Sequence, residues 1–219
     1  DFIRVRNYND QDIEAMGLGL DLRTSYSLTI PVYHPEKDII LGFYRRDITG
    51  EQTQKYKVSP ELSEGKYFFN SNRIIEFLDE LIIVEGILDA LILTARGINN
   101  VIAIAGHAIT EYQKKQLASF IQKGISKVYL FLDNDREGID SAVKSISLIK
   151  ELGGLPIVIG YEEKDPGEFL RNPDNDFYKA KLNAVDGDEW LLSLQNAESM
   201  EAKPEPVSKD VLYLSLIHN

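Results

Sequence analysis

The sequence lacks cysteine altogether and contains only three histidines. Without cysteine, neither a disulfide nor a thiolate zinc site can form within these 219 residues, and three scattered histidines do not suggest another kind of zinc site. No apolar run approaches the roughly 20 residues that a membrane-spanning helix needs, and no basic segment leads into an apolar one as in a signal peptide. We therefore expect a cytoplasmic protein that does not engage a membrane.

Basic residues are also fewer than acidic residues. The chain has 24 lysines and arginines against 35 aspartates and glutamates, a formal net charge of −11, which taken alone argues against binding the phosphates of nucleic acid. The deficit is uneven, because residues 39–73 hold six basic and four acidic residues. An acidic chain with one basic stretch suits an enzyme that needs both clustered carboxylates and a phosphate-binding track.

Two sequence patterns divide the chain. Before residue 80, two runs rich in β-branched and aromatic residues, Ser27–Tyr33 and Ile39–Arg45, flank a turn-like segment, which predicts a β-hairpin in a small mixed α+β subdomain over residues 1–79. From residue 80 to residue 197, short apolar runs alternate with helix-length segments, which predicts an α/β domain on a parallel sheet. Residues 198–219 contain two prolines and then a short apolar run, which indicates a linker followed by the start of a further element.

The α/β stretch predicts four strands and three main helices. The predicted strands are Leu81–Val84, Val101–Ala105, Lys127–Leu132 and Leu155–Gly160. The predicted helices are Ile87–Arg96, a helix that begins after Thr110 and ends near Gly124, and Glu137–Leu152. Thr110 followed by Gln113 indicates a capping box, and Val143 falls on the apolar stripe of the third helix.

Acidic residues follow three of these strands. Glu85 comes directly after the first strand, Asp133 and Asp135 after the third, and Asp165 lies in the loop after the fourth. Ligands of open parallel sheets collect at the carboxyl ends of the strands, and converging carboxylates suit one or two Mg²⁺ ions. The simpler alternative is that each acid caps a helix or is solvated in a loop. Glu85 fits that alternative less well, because it follows four apolar residues.

The order and spacing of these motifs resemble the Toprim domain of bacterial-type, DnaG-like DNA primases, including phage, plasmid and mobile-element versions. The resemblance covers residues 80–172 and rests on IVEGILDA at 83–90, AGHAIT at 105–110, LFLDNDREG at 130–138 and KDPGEFL at 164–170. It implies that Glu85, Asp133 and Asp135 are catalytic and hold Mg²⁺ or Mn²⁺ together with Asp165. It also implies supporting roles for three further residues, namely Gly86, Asp89 and Gly138.

The stretch before residue 80 fits the same family, in which a similar segment precedes the Toprim domain. It contains GFYRR at 42–46, KYKVSP at 55–60 and GKY at 65–67. The resemblance implies nucleotide or nucleic-acid binding by Arg45, Arg46, Lys55, Tyr56 and Lys66, a role that suits cations interleaved with aromatic rings. The implied activity is synthesis of short RNA primers from ribonucleoside triphosphates on single-stranded DNA. The implied protein partner is a replicative helicase, in trans or on the same chain.

Two positions depart from the family pattern, and a third motif keeps another family open as an alternative. His107 replaces a small hydroxyl residue and Gly167 replaces a further aspartate, while Arg136–Gly138 is similar to the motif of type IA topoisomerases. A Toprim nuclease or topoisomerase would share the acids but cut DNA, and a degenerate Toprim module would only bind nucleic acid. Haloacid-dehalogenase-type phosphatases and receiver domains also carry acids on parallel sheets, but their acidic motifs lie at other strands.

Overall fold

Two β-sheets form the framework of the protein, for which a computed structural model describes residues 2–24, 26–62, 65–75 and 77–201. The first sheet is antiparallel, and its strands lie side by side in chain order: β1 (Gly19–Leu20), β2 (Leu28–Tyr33), β3 (Ile40–Arg46) and β4 (Tyr56–Val58). The second sheet contains β5 (Glu80–Val84), β6 (Val101–Ala103), β7 (Lys127–Leu130), β8 (Leu155–Val158) and β9 (Val185–Asp186). Its order is β6–β5–β7–β8–β9.

The helices of the described residues lie mainly between the strands of the second sheet. They are α1 (Asp10–Ala15), α2 (Ile87–Ala95), α3 (Glu111–Gln122), α4 (Arg136–Glu151), α5 (Pro166–Arg171), α6 (Phe177–Leu182) and α7 (Gly187–Glu201). The last helix, α7, runs into the segment predicted to be a linker, and residues 202–219, with the predicted further element, lie outside the described residues. Within the described part of the chain, no helix is long and apolar enough to cross a bilayer.

The second sheet confirms the predicted α/β architecture. Strands β6, β5, β7 and β8 are parallel, as expected from the alternation of apolar runs and helices. Strand β9 adds an antiparallel edge beside β8. The sequence pattern did not predict β9, because two residues are too short to display a period-2 alternation.

The central strand β5 is buried on both faces and divides the core in two. Ile82 and Val84 pack with α2 and with residues of the first sheet, whereas Leu81 and Ile83 pack with apolar residues of α3 and α4. All four side chains are at most 1% exposed, and burying each contributes about 1.5–3 kcal/mol. The first sheet therefore lies on the α2 face of the second sheet, from where its side chains can reach the carboxyl end of β5.

Local signals account for the helix ends. Thr110 and Gln113 form the predicted capping box at the start of α3. After α2, Gly97 adopts φ +78 and its amide donates to the Thr94 carbonyl, which ends the helix. In α4 the buried stripe contains small residues, including Ala142 and Ser145, so α4 packs closely on the sheet and the predicted core residue Val143 is 36% exposed.

Candidate active site

Glu85 and the Asp133–Asp135 loop meet at the carboxyl ends of two adjacent parallel strands. Strands β5 and β7 pair side by side, and the Phe131 amide donates to the Ile83 carbonyl at 3.0 Å. Two residues further along each strand, Oε1 of Glu85 accepts a hydrogen bond from the Asp133 amide at 3.3 Å. The sequence prediction that these two segments converge is therefore realised in the geometry.

Two of the predicted acids also cap helices. Oδ1 of Asp135 accepts from the Gly138 amide at 3.0 Å at the start of α4, and Oδ1 of Asp165 accepts from the Glu168 amide at 2.7 Å at the start of α5. Helix capping, the simpler alternative for these residues, is thus present. Each cap engages one carboxylate oxygen, and the second oxygen of each carboxylate takes no part in the cap.

Burial, and then repulsion between neighbouring carboxylates, raises the pKa values of the acidic cluster. Burial and then the neighbouring Asp133 raise the pKa of Glu85 to about 7. Burial and then Asp165 raise the pKa of Asp89 to about 7 and that of Asp133 to about 6. Ionising carboxyl groups with such raised pKa values costs free energy in the folded protein, and a bound cation would offset that cost.

One carboxylate oxygen in this cluster has an unmet bonding capacity. Oδ1 of Asp133 is buried, and no atom of the described residues hydrogen-bonds to it. A buried carboxylate oxygen without a donor is costly in free energy, and a hard divalent cation is a suitable partner for it. The donor set, all carboxylates, is also the one that Mg²⁺ or Mn²⁺ prefers. Among the described residues, however, no three acidic or histidine side chains already lie at the spacing of a metal site.

Glycines allow the acids to pack this tightly. A Cβ atom on Gly86 would lie 2.0 Å from Oδ2 of Asp89, and one on Gly167 would lie 2.8 Å from Oδ1 of the same residue. The Gly167 amide donates to that oxygen at 3.0 Å. A Cβ on Gly138 would lie 1.9 Å from the Asp133 carbonyl oxygen. The EGILD, DNDREG and KDPG motifs thus need glycine because backbone and carboxylate occupy the space of a side chain.

A basic wall faces the acids across a cavity of about 300 Å³, which we call the carboxylate cavity. The acidic side is formed by Asp89, Asp133, Asp165 and Glu168, and the basic wall by Arg6, Arg46 and Lys55 together with Tyr8 and Tyr56. Arg171 also lines the cavity, but on the acidic side, where it lies 3.7 Å from Glu168. The guanidinium of Arg46 stacks 4.8 Å from the centre of the Tyr56 ring, and its buried Nε has no hydrogen-bond partner among the described atoms. The cavity therefore offers carboxylates on one side and phosphate-binding groups on the other.

Arg6 and Arg171 are cavity residues that sequence reasoning missed. Burial, Arg46 and Arg171 lower the pKa of the Arg6 guanidinium, which places the three arginines near one another. Arg6 follows no strand and belongs to no recognisable motif, so the sequence carried no signal for it. Arg171 could have been found, because it lies in the short helix that Asp165 caps and is one turn beyond Glu168.

Two basic residues predicted for the site lie elsewhere. Arg45 neighbours Arg46 on β3, and side chains alternate between the faces of a strand, so Arg45 points away from the cavity toward Asp21. Lys66 lines a separate groove beside α3. Of the predicted nucleotide-binding set, Arg46, Lys55 and Tyr56 line the carboxylate cavity.

The comparison with known proteins agrees with this geometry. A family model described as Toprim-like matches residues 82–170. This chain carries a DnaG-like Toprim core. The curated DNA primase of Campylobacter jejuni is 31% identical over 154 residues, which cover 66% of this chain and 24% of the primase. That of Clostridium acetobutylicum is 29% identical over 197 residues, which cover 84% of this chain and 32% of the primase.

Solved structures give the same fold for the Toprim core and the sheet before it. The Aquifex aeolicus primase, with its zinc-binding and RNA polymerase domains, superposes with a TM-score of 0.74 at 21% identity, covering 91% of this chain and 59% of that one. A DnaG primase catalytic domain bound to single-stranded DNA gives a TM-score of 0.71 at 17% identity, covering 88% and 73%. The predicted fold class is confirmed. The chain spans about a quarter to a third of the curated relatives it matches.

Proposed function

We propose that this chain is the catalytic core of a DNA primase that joins ribonucleotides on a single-stranded DNA template. The observation that carries the proposal is the carboxylate cavity of about 300 Å³, whose lining combines four acids with three arginines and a lysine. Cleaving and forming phosphate esters requires such a pair of surfaces, since the reacting phosphates are anionic and charge develops on their oxygens. The similarity to primases extends over the sheet before the Toprim core as well, which favours a primase over a topoisomerase or a nuclease.

The cations of the cavity would hold the triphosphate. Arg6, Arg46 and Arg171 present planar guanidinium groups that can bind phosphate oxygens in pairs, and Lys55 adds a compact charge close enough to Asp133 to oppose the rise of its pKa. In the proposed reaction a 3′-oxygen attacks the α-phosphorus, the bond to pyrophosphate breaks, and pyrophosphate leaves with its negative charge. The hydroxyl proton would pass to the carboxylate of Glu85, which lies beside Asp133 at the strand ends.

Glu85, Asp133, Asp135 and Asp165 would hold a divalent metal ion, Mg²⁺ or Mn²⁺. When bound, such an ion supplies positive charge that stabilises the attacked phosphate and the leaving group. The unpartnered buried Oδ1 of Asp133 supports this role. Asp89, whose carboxylate accepts a hydrogen bond from the Gly167 amide, would hold the neighbouring acids in position. We further propose that a replicative helicase delivers the template strand to this core, as the resemblance to primases implies.

The test is primer synthesis from labelled ribonucleotides on single-stranded templates, with Mg²⁺, with Mn²⁺ and with chelator. We expect Asp133→Ala and Asp135→Ala each to lower the rate by at least about a hundredfold. Replacing a residue that only hydrogen-bonds to a metal ligand can already lower activity by up to that factor. Asp140→Ala, at an exposed aspartate of α4, is the matched control and should retain the rate. Synthesis that survives both cluster variants would contradict the proposal, and strand binding without any synthesis would leave a non-catalytic binding module.

A further inference from the structure

Phe2 lies behind the basic wall of the carboxylate cavity and contacts two of its arginines. The guanidinium carbon of Arg6 lies 3.8 Å from the centre of the Phe2 ring, and that of Arg46 lies 5.3 Å from the same centre. Both arginines line the carboxylate cavity, whereas Phe2 lines a separate apolar cavity of about 430 Å³. The ring therefore contacts cations of the site without itself lining the site.

A second ring contacts one of the same arginines. The guanidinium carbon of Arg46 lies 4.8 Å from the centre of the Tyr56 ring. An aromatic ring attracts a cation that lies over its face within about 6 Å of the ring centre. Arg6, Phe2, Arg46 and Tyr56 therefore form a series in which cations and rings alternate. In this series Phe2 is the residue that links the two cations.

The two guanidinium groups are close together although they carry like charges. Their carbons are at most about 9 Å apart, because both lie over the Phe2 ring. Burial and then Arg46 lower the pKa of Arg6, as expected for a cation that is partly desolvated beside another cation. Arg6 is also tied to Phe2 through the backbone, since its Nη1 donates to the Phe2 carbonyl at 2.8 Å. Without the ring, we expect repulsion to separate the two guanidinium groups.

The N-terminal segment that carries Phe2 is fixed along helix α2. The hydroxyl of Tyr8 donates to the Leu88 carbonyl in the first turn of α2 at 2.6 Å. At the other end of the helix, the side chain of Arg96 donates to the Asn7 carbonyl at 2.6 Å. The same helix carries the acids of the EGILD motif at its start, so these bonds fix the N-terminal segment relative to the acids.

We propose that Phe2 is a positioning residue for nucleotide binding, whose ring holds Arg6 and Arg46 in an arrangement that binds two phosphate groups of one nucleoside triphosphate. A planar guanidinium group can bind two oxygens of one phosphate, so a pair of guanidinium groups suits two phosphates. Such a pair favours a triphosphate over a monophosphate. The role of the triphosphate as a primer substrate rests on the proposed function, whereas the pairing of the arginines by Phe2 does not.

The variants separate the aromatic ring from simple apolar packing. Phe2→Leu keeps an apolar side chain and removes the ring, and Phe2→Met takes its place if urea unfolding shows that Phe2→Leu does not fold. Phe2→Tyr keeps the ring, and the apolar cavity beside Phe2 leaves room for the hydroxyl. Phe77→Leu is the matched control, because Phe77 is 88% exposed and lines neither cavity. ATP and AMP are the probes, each competed against a fluorescent ATP analogue in the presence of Mg²⁺.

We expect Phe2→Leu to bind ATP at least about fivefold more weakly than Phe77→Leu, because the two arginines then occupy the binding arrangement for a smaller fraction of the time. AMP has one phosphate, so its binding should weaken by less than about twofold. Phe2→Tyr should bind ATP within about twofold of the wild-type chain, because its ring still contacts both cations. In primer synthesis, Phe2→Leu should raise the KM for ATP without lowering kcat.

The proposal is overturned if Phe2→Leu binds ATP as tightly as Phe77→Leu, or if Phe2→Tyr binds ATP as weakly as Phe2→Leu, since the ring would then have no role. It is also overturned if ATP and AMP binding weaken by the same factor, because the arginines would then not act on two phosphates. If the wild-type chain synthesises no primer, the proposed function fails, and the nucleotide-binding measurements still decide the role of Phe2.

Discussion

Replacing Asp89 by asparagine should stabilise the metal-free protein at pH 8. Asparagine keeps the oxygen that accepts from the Gly167 amide and occupies the same space between Gly86 and Gly167. It removes a negative charge whose pKa burial, Asp165 and Asp133 together raise from 3.8 to about 7. A carboxyl group that is harder to ionise in the folded state makes the folded protein less stable wherever it is ionised.

The size of the stabilisation and the pH range in which it appears both follow from the raised pKa of Asp89. Each pKa unit corresponds to about 1.4 kcal/mol, so the full rise would cost about 4 kcal/mol, and solvent that reaches the cavity screens this to about 2 kcal/mol. The stability present below pH 3.8 is lost as the pH rises toward about 7. The advantage of Asp89→Asn should therefore be about 2 kcal/mol at pH 8 and less than half of that at pH 5. In thermal unfolding, about 2 kcal/mol corresponds to roughly 4–8 °C at this chain length.

The assay is thermal and urea unfolding in EDTA at pH 5 and pH 8. Asp140→Asn is the control, because Asp140 is an aspartate whose side chain is 56% exposed. Adding Mg²⁺ should stabilise the wild-type chain more than Asp89→Asn and narrow the gap between them. An equal gap at both pH values, or a destabilised variant at pH 8, would refute the electrostatic account of the cluster.

Two further predictions concern the backbone that carries the acids. The hydroxyl of Tyr161 donates to the carbonyl directly before Asp133, so Tyr161→Phe should cost about 1 kcal/mol in urea unfolding and weaken Mg²⁺ binding in a calorimetric titration; unchanged Mg²⁺ affinity would show that the bond does not position the loop. A Cβ on Gly138 would lie 1.9 Å from the Asp133 carbonyl and 2.9 Å from Oε1 of Glu85, so Gly138→Ala should destabilise by about 1–3 kcal/mol. Gly106→Ala, where a Cβ meets nothing within 4 Å, should leave the midpoint of unfolding unchanged.

The alternation of apolar runs and helical segments predicted the parallel sheet because local periodicity reports which faces are buried. The strand ends then predicted the meeting of Glu85 with the Asp133 loop, since parallel strands bring their carboxyl ends to one edge. The capping signals at Thr110 and Gly97 also held, because capping depends on residues three or four positions apart. The prediction that the acids hold metal stays a prediction.

Sequence patterns could not predict which residues from distant parts of the chain meet in the folded protein. Arg6, near the start of the chain, and Arg171, in α5, line the same cavity, a contact that no local pattern encodes. Lys66 was assigned with Lys55 because both match the family's segment before the Toprim domain, yet the two lysines line different surfaces.

The amino-acid sequence by itself determined the order of strands and helices, the positions of the acids at strand ends, and the glycines that let those acids approach. Only the tertiary structure decided which cations line the cavity with the acids and which line the separate groove beside α3. The physical reason is that hydrogen bonding and burial along a strand or helix are short-range and periodic, whereas the packing of one sheet on another depends on the shape of the whole buried surface.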